Sequence, residues 1–545
     1  MKIGLIKLLR QESKDTNIQI MAGAVLSGLA NGVMVIVINA AAQNYAELNF
    51  RYMFLFVICI ALYIVSKRYA LAKTAVISRN AIFKAHTRMA DKIRRSSLVP
   101  FEAAGKSSIY GTLSENTEII FEASRLLVSC SSAAIMLLLS FTYIAFLSAA
   151  ALWLTVGLMV CAIAVYVHNQ RAIMEELRVT LQKENEFLEC LNHFLDGFKE
   201  VKMNRERSDD LFTNYLEKIS VATRQMKIRT DSRFISSHIF TQLIFYILIA
   251  FIIFVLPQIS STPPEVIVQI MSVILFTTGP MGILIDGVPI ISKASVAVEK
   301  IQKLETELDA WDDSRLTVPE NPFGESKRVP ITLNRVFFQY QDVENKKLFS
   351  VGPVDLTIHP GEILFITGGN GSGKTTLIKV IAGLYYPQGG VVSLGGRPVN
   401  LSNYEHYRGF FSAIFSDFHL FDRLYGLKDV DEARLHRLLQ KMELSEKTDY
   451  IQGRFTQMKL STGQRKRLAL VVALMEDRPI YVLDEVAADQ DPIFRKYFYE
   501  KLLKELKEQG KTLIVISHDD RYFHVADRVL KMEYGKMLTE EEKRP

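Results

Sequence analysis

Two stretches in the second half of the chain carry residue types and spacings suited to binding anions. The first, ILFITGGNGSGKTTLIKVIAGL, runs from Ile363 to Leu384. An apolar strand-like run leads into Gly368-x-x-x-x-Gly373-Lys374-Thr375, and a helix-like run follows. In that setting the backbone N–H groups of Gly368, Gly369, Asn370, Gly371, Ser372 and Gly373, with Thr376 behind them, can close around phosphates. Lys374 is placed to reach the terminal phosphates, and the Thr375 hydroxyl to face Mg²⁺. The second stretch is LSTGQ, Leu460 to Gln464. Ser461 and Gln464 have the S-x-x-Q spacing of a helix capping box, and a helix start with basic residues close behind it suits an anion.

Acid–base groups follow at two strand ends. In PIYVLDEVAADQDP, an apolar run ends in Asp484-Glu485. Asp484 is positioned to hold a magnesium ion through water, and Glu485 to polarise an attacking water as general base. TLIVISHDD gives another buried strand, ending at His518, whose imidazole can contact a terminal phosphate.

These groups need a scaffold. From Val329 onward short β-branched strands alternate with helices, the pattern of an α/β domain at 329–545. A polar stretch with Pro319, Pro322 and Gly324 reads as a linker over 309–328. Residues 1–308 differ in kind. Thr16 to Ala46 contains no Asp, Glu, Lys or Arg, and Leu126 to Gln170 is uncharged for 45 residues. A membrane span takes about 20 apolar residues. The pattern predicts six spans, near 18–42, 50–68, 126–147, 149–169, 234–256 and 265–288, with a tight turn near Ser148. Pro280 and Pro289 are candidate kink points in the sixth. The loops 67–125 and 168–233 are rich in helix formers and predict helical extensions beyond the bilayer, broken near 98–108 and 196–206.

Composition agrees with a membrane part joined to a soluble one. Mean hydropathy is positive, +0.13. Net charge is +6, without a basic tail or aromatic–basic ladder, which argues against a nucleic-acid partner. The loop 67–125 holds eleven Lys/Arg against five Asp/Glu, whereas the turns near Ser148 and at 257–264 hold none. By the positive-inside rule the N-terminus, both long loops and the α/β domain are cytoplasmic. MKIGLIKLLRQ is too short and interrupted for a cleavable signal, and suits an amphipathic helix on the inner surface. The four cysteines, Cys59, Cys130, Cys161 and Cys190, have neither metal nor disulfide-framework spacing.

The order phosphate loop, LSTGQ, Leu483-Asp484-Glu485, Asp489 and His518 resembles the nucleotide-binding domain of ABC ATPases, whose hallmark is LSGGQ. Six spans with long inner loops resemble an ABC exporter half. The resemblance implies ATP and Mg²⁺ as cofactors and an ATPase that works as a homodimer. Tyr340, in VFFQYQD, takes the position of the aromatic that stacks on adenine. Ser461, Gly463 and Gln464 would close the nucleotide held by a second copy. The sequence departs from the family at Ser416, where a magnesium-sensing Gln is usual; a shorter hydroxyl there can still bond a metal-bound water. The nearby Phe415, Phe418 and Phe421 are then candidates for coupling. FSAIFSDFHLFD, LSTGQRKRLAL, DEVAADQDPIFRKYFY, ISHDDRYFHVADRV and GFKEVKMNRER together resemble the bacterial branch that exports cyclic peptides and peptide siderophores. The implied activity is ATP-driven export of such an amphipathic cargo across a lipid bilayer, the bacterial cytoplasmic membrane. A lipid or glycolipid flippase and a non-transporting ATP-dependent regulator share the architecture.

Overall fold

A computed structural model describes residues 14–43, 50–312, 320–324, 328–341 and 347–542. The amphipathic stretch expected at 1–11 and much of the linker expected at 309–328 lie outside the described residues. The chain divides into two compact units, 1–89 with 107–305, and 90–106 with 306–545.

The first unit is helical. Among the described residues, six helices are long and apolar enough to cross a membrane. They are Lys14–Gln43, Phe50–Arg95, Lys106–Leu147, Ala149–Asp196, Glu217–Phe254 and Pro264–Ala310. All but the first run well past the length of one bilayer crossing. The uncharged 45-residue run is two helices, and Ser148 caps the second by accepting from the Ala151 N–H at 3.3 Å. Pro280 and Pro289 lie inside one continuous helix. Small residues let helices approach closely: a Cβ on Gly28 would stand 2.6 Å from the Ser132 carbonyl oxygen, and the Ser27 and Ser132 hydroxyls meet at 2.8 Å. Large apolar side chains such as Phe54 (67%), Leu138 (65%) and Trp153 (73%) stay exposed, as lipid-facing residues do.

The second unit is built on two large sheets and a third of two short strands. Its strands are β1 (Ile331–Gln341), β2 (Lys347–Ile358), β3 (Ile363–Thr367), β4 (Gly389–Leu394), β5 (Arg397–Pro398), β6 (Phe411–Ile414), β7 (Tyr450–Ile451), β8 (Arg454–Phe455), β9 (Ile480–Asp484), β10 (Thr512–Ile516), β11 (Arg528–Glu533) and β12 (Lys536–Glu542). One sheet runs β2-β1-β4-β5 and is antiparallel. The other runs β12-β11-β3-β10-β9-β6, with every pair parallel except β11–β12. β3 is buried on both faces, as a central parallel strand should be. Ile363 and Phe365 join the core around the helix Thr462–Glu476, while Leu364 and Ile366 join the core shared with the antiparallel sheet and the helix Lys374–Ile381. The functional strand ends therefore all emerge from one rigid sheet.

The helix Leu98–Ala104 belongs to this second unit although it is the turn between the second and third long helices. Leu98 and Val99 pack on the core of the antiparallel sheet. The Ser97 N–H donates to the Trp311 carbonyl at 2.9 Å, and Lys92 pairs with Asp309 at 2.8 Å.

Candidate nucleotide site

The loop after β3 is held by backbone geometry that only glycine tolerates. Gly368 has φ 146°, and a Cβ there would stand 2.2 Å from the Met532 carbonyl oxygen. Lys374, first residue of the following helix, is 6% exposed and donates to the carbonyls of Gly368 at 2.9 Å and Gly369 at 3.0 Å. Burial pulls its ammonium below the usual lysine range, opposed by the Glu485 and Asp484 carboxylates. The Ser372 hydroxyl is buried without a hydrogen-bond partner among the described residues. Such a group, beside a lysine clasping the loop, fits a phosphate chain that would supply the missing partner.

At the end of β9, Asp484 is 1% exposed. Its Oδ2 accepts from the Thr375 hydroxyl at 3.2 Å and from the Ser416 N–H at 3.3 Å. Burial raises its pKa; those two hydrogen bonds oppose the rise, and the neighbouring Glu485 charge adds to it. Thr375 and Asp484 thus place hard oxygen donors side by side, a donor set suited to magnesium carrying phosphates as its other ligands. Among the described residues there is no cluster of three His, Cys, Asp or Glu.

Glu485 follows in a left-handed conformation, φ 50°. Strain at a non-glycine residue has to be held in place by its surroundings. Here the Glu485 N–H donates to the Ile516 carbonyl at 3.2 Å, and the Glu485 carbonyl accepts from the Lys466 ammonium at 2.9 Å. This aims the carboxylate at His518, with Oε1 to Nε2 at 3.0 Å. Both side chains remain partly exposed, 34% and 43%.

The LSTGQ segment begins the helix Thr462–Glu476, and its capping box is formed: Ser461 Oγ accepts from the Gln464 N–H at 3.3 Å, and Gln464 Oε1 from the Ser461 N–H at 3.1 Å. Ser461 is exposed. The structure thus gathers Lys374, Thr375, Asp484, the Ser416 backbone, Glu485 and His518, while Ser461 and Gln464 bond one another. The Ser416 side chain, like its N–H, faces Asp484. Phe415 packs on the core shared by the two sheets, Phe418 packs beneath the helix Thr462–Glu476 with Arg465 over its ring, and Phe421 is 61% exposed.

Tyr340, near the end of β1, meets Thr376 Oγ1 at 3.5 Å and donates to the Tyr385 hydroxyl at 3.1 Å. Two positioning residues escaped the sequence. Lys466 pairs with Asp489 at 2.6 Å as well as holding the Glu485 carbonyl. Arg467 donates to Gln490 at 2.9 Å and pairs with Glu443 and Asp491. In sequence both look like a surface basic run; the signal was their place one turn into an otherwise apolar helix.

The chain resembles known proteins along its length. A family model described as ABC transporter matches residues 351–488. ATP-binding protein SyrD of Pseudomonas syringae pv. syringae is 34% identical over 417 residues, covering 74% of this chain and 73% of that one. An ATP-dependent lipid A-core flippase of Alkalilimnicola ehrlichii is 33% identical over 39% of this chain and 38% of its own. The probable syringafactin export ATP-binding/permease protein SyfD of Pseudomonas syringae pv. syringae is 29% identical over 36% of this chain and 32% of its own. The solved structure of a bacterial Atm1-family ABC exporter with ATP bound superposes with a TM-score of 0.76 at 16% identity, covering 98% of this chain and 95% of that one.

Proposed function

From the premise that this chain belongs to the ABC transporter family and is an export half-transporter, a multi-pass membrane protein with an ATP-hydrolysing domain, we propose that it exports a cyclic peptide, peptide siderophore or similar amphipathic molecule. The observation that carries this reading is the set of long motifs around Ser416, Ser461, Asp489 and His518, which resemble the peptide-export branch. The match to a probable syringafactin export ATP-binding/permease protein supports the export part of this reading. One membrane part and one ATPase part per chain imply a dimer, here a homodimer. The positive charge of the loop 67–125 supports a cytoplasmic N-terminus and ATPase domain at a bacterial inner membrane. We take 1–308 as the membrane domain, 309–328 as the linker and 329–545 as the ATPase domain.

In this reading Lys374 would bind the terminal phosphates, Thr375 and Asp484 would hold Mg²⁺, and Ser416 would bond a water beside them. Held there, Mg²⁺ would supply positive charge to offset the negative charge of the phosphates. Glu485 takes a proton from the attacking water, and His518 holds the Glu485 carboxylate in place beside the terminal phosphate. Tyr340 faces adenine, and Ser461, Gly463 and Gln464 of a second copy close the site. Differential ATP affinity between open and closed dimers drives the spans between inward and outward access.

Transport into inverted vesicles tests the proposal, comparing wild type with Glu485→Gln. Glu485→Gln retains ATP binding and loses about 10²–10⁴-fold in turnover. ATP-dependent uptake of a peptide by wild type alone is the expected result. Lipid translocation without peptide uptake would favour a flippase, the second reading, which the lipid A-core flippase match supports.

A further inference from the structure

A hydrogen-bonded chain leads from Tyr340 to the turn helix at Leu98–Ala104. The Tyr340 hydroxyl donates to Tyr385 at 3.1 Å, and the Tyr385 hydroxyl donates to Glu102 Oε2 at 2.6 Å. Lys379 donates to Glu102 Oε1 at 3.0 Å and to the Tyr385 hydroxyl at 3.2 Å. The rings interlock as well. Phe338 stacks on Tyr385 with centroids 4.9 Å apart, and Tyr340 meets both edge-on at 5.1 and 5.8 Å.

Packing alone does not require this arrangement. Tyr385 is 1% exposed, and a phenylalanine would fill the same stack without a buried hydroxyl to satisfy. The hydroxyl is satisfied by a carboxylate, and a bond to an ionised acceptor is about twice as strong as a neutral one. Donation runs one way, Tyr340 to Tyr385 to Glu102, so each bond polarises the next. Burial and the Glu102 and Tyr340 contacts hold the Tyr385 phenol far above its usual pKa, so it remains a donor. Glu102 also grips Lys379, on the same helix that begins with Lys374. One carboxylate thus touches both Tyr385, which accepts from Tyr340, and the helix that follows the phosphate loop.

We propose that Tyr385 is a positioning residue that fixes the Tyr340 ring for the nucleotide base, and that Glu102 on the turn helix loads it. The inference rests on the reading of Tyr340 as the adenine-facing aromatic. Base recognition then depends on the turn helix remaining docked, and undocking of Glu102 loosens the nucleotide from its base end.

The test is steady-state hydrolysis of ATP and GTP by the full-length protein in lipid nanodiscs, with thermal midpoints recorded for each variant. Tyr385→Phe, Tyr340→Phe and Glu102→Gln each raise the KM for ATP about three- to tenfold, the effect of one hydrogen bond. kcat stays within about twofold for Tyr385→Phe and Glu102→Gln, because the proposed link acts on base binding and not on the reacting atoms. The Tyr385→Phe/Glu102→Gln pair raises KM no further than either single change, as groups in one chain do. Preference for ATP over GTP narrows in step. Tyr340→Ala is the control. If it raises KM while Tyr385→Phe and Glu102→Gln match wild type, or if their effects add, the relay is overturned. If they lower kcat and the thermal midpoint alike for both nucleotides, Tyr385 is a packing residue and the proposal is again overturned. If Tyr340→Ala leaves KM unchanged, the adenine assignment itself fails, and the relay with it.

Discussion

Asp484 and Glu485 are adjacent in sequence but live under opposite constraints. Asp484 is sealed at the end of a strand with its charge supported by one hydroxyl and one N–H. Glu485 is turned out by a left-handed backbone toward His518. A buried carboxylate beside a second one costs stability until a cation arrives. Asp484→Asn keeps an oxygen to accept both hydrogen bonds and removes the charge. Without nucleotide the variant is expected to unfold about 2–4 °C above wild type. It loses the further stabilisation that Mg²⁺ and ATP confer on wild type, and hydrolyses ATP at least about 100-fold more slowly. Scanning calorimetry with and without Mg²⁺-ATP checks both; a nucleotide-free midpoint below wild type would remove the argument that the charge is a burden there.

At the scale of elements, the helix Thr462–Glu476 has two jobs at two ends of its first turns. Its exposed N-terminus carries LSTGQ, and Lys466, one turn on, holds the strained Glu485 carbonyl and Asp489. Lys466→Met preserves most of the buried stem but frees that carbonyl. kcat is expected to fall about tenfold while the KM for ATP stays near wild type, since the change lets the general base drift without touching the phosphate loop. A pure KM effect in the same assay would place Lys466 in nucleotide binding instead. The capping box, the strand before the phosphate loop and the strand ending at Asp484 were legible in sequence, because each depends on residues within a few positions of one another. The six apolar helices were legible for the same reason: hydropathy over about 20 residues is a local property. Lys466 and Tyr385 were not. Their roles come from tertiary approach, and Glu102 and Tyr385 are 283 residues apart. No local pattern carries such a pairing, and a lone buried tyrosine reads as core.

At the scale of the whole molecule, the chain carries one phosphate loop and one LSTGQ helix start, and the two are not interchangeable. Within one copy, the hydrogen bonds of Ser461 and Gln464 close their own cap, and Ser461 faces solvent. An exposed helix N-terminus attracts anions. It gains a partner if two copies of the chain meet with each LSTGQ over the other's Lys374. A half-transporter architecture implies a dimer, and a homodimer would supply that second copy. The arrangement makes a complementation experiment decisive. Ser461→Arg places a bulky cation where the partner's terminal phosphate would sit, and Lys374→Ala removes the lysine that holds that phosphate. Each homodimer has two defective sites and is expected to be inactive. A heterodimer concentrates both defects in one site and leaves the other intact, so the mixture should regain about a quarter of wild-type ATPase: roughly half of randomly paired dimers are mixed, each with one working site of two, taking sites as independent. Differently tagged chains, co-purified in lipid nanodiscs, make the measurement direct. Activity no greater than the sum of the two parents in verified heterodimers would mean that the LSTGQ helix acts within its own chain. Two active sites need two chains only if the helix start and the phosphate loop belong to different copies.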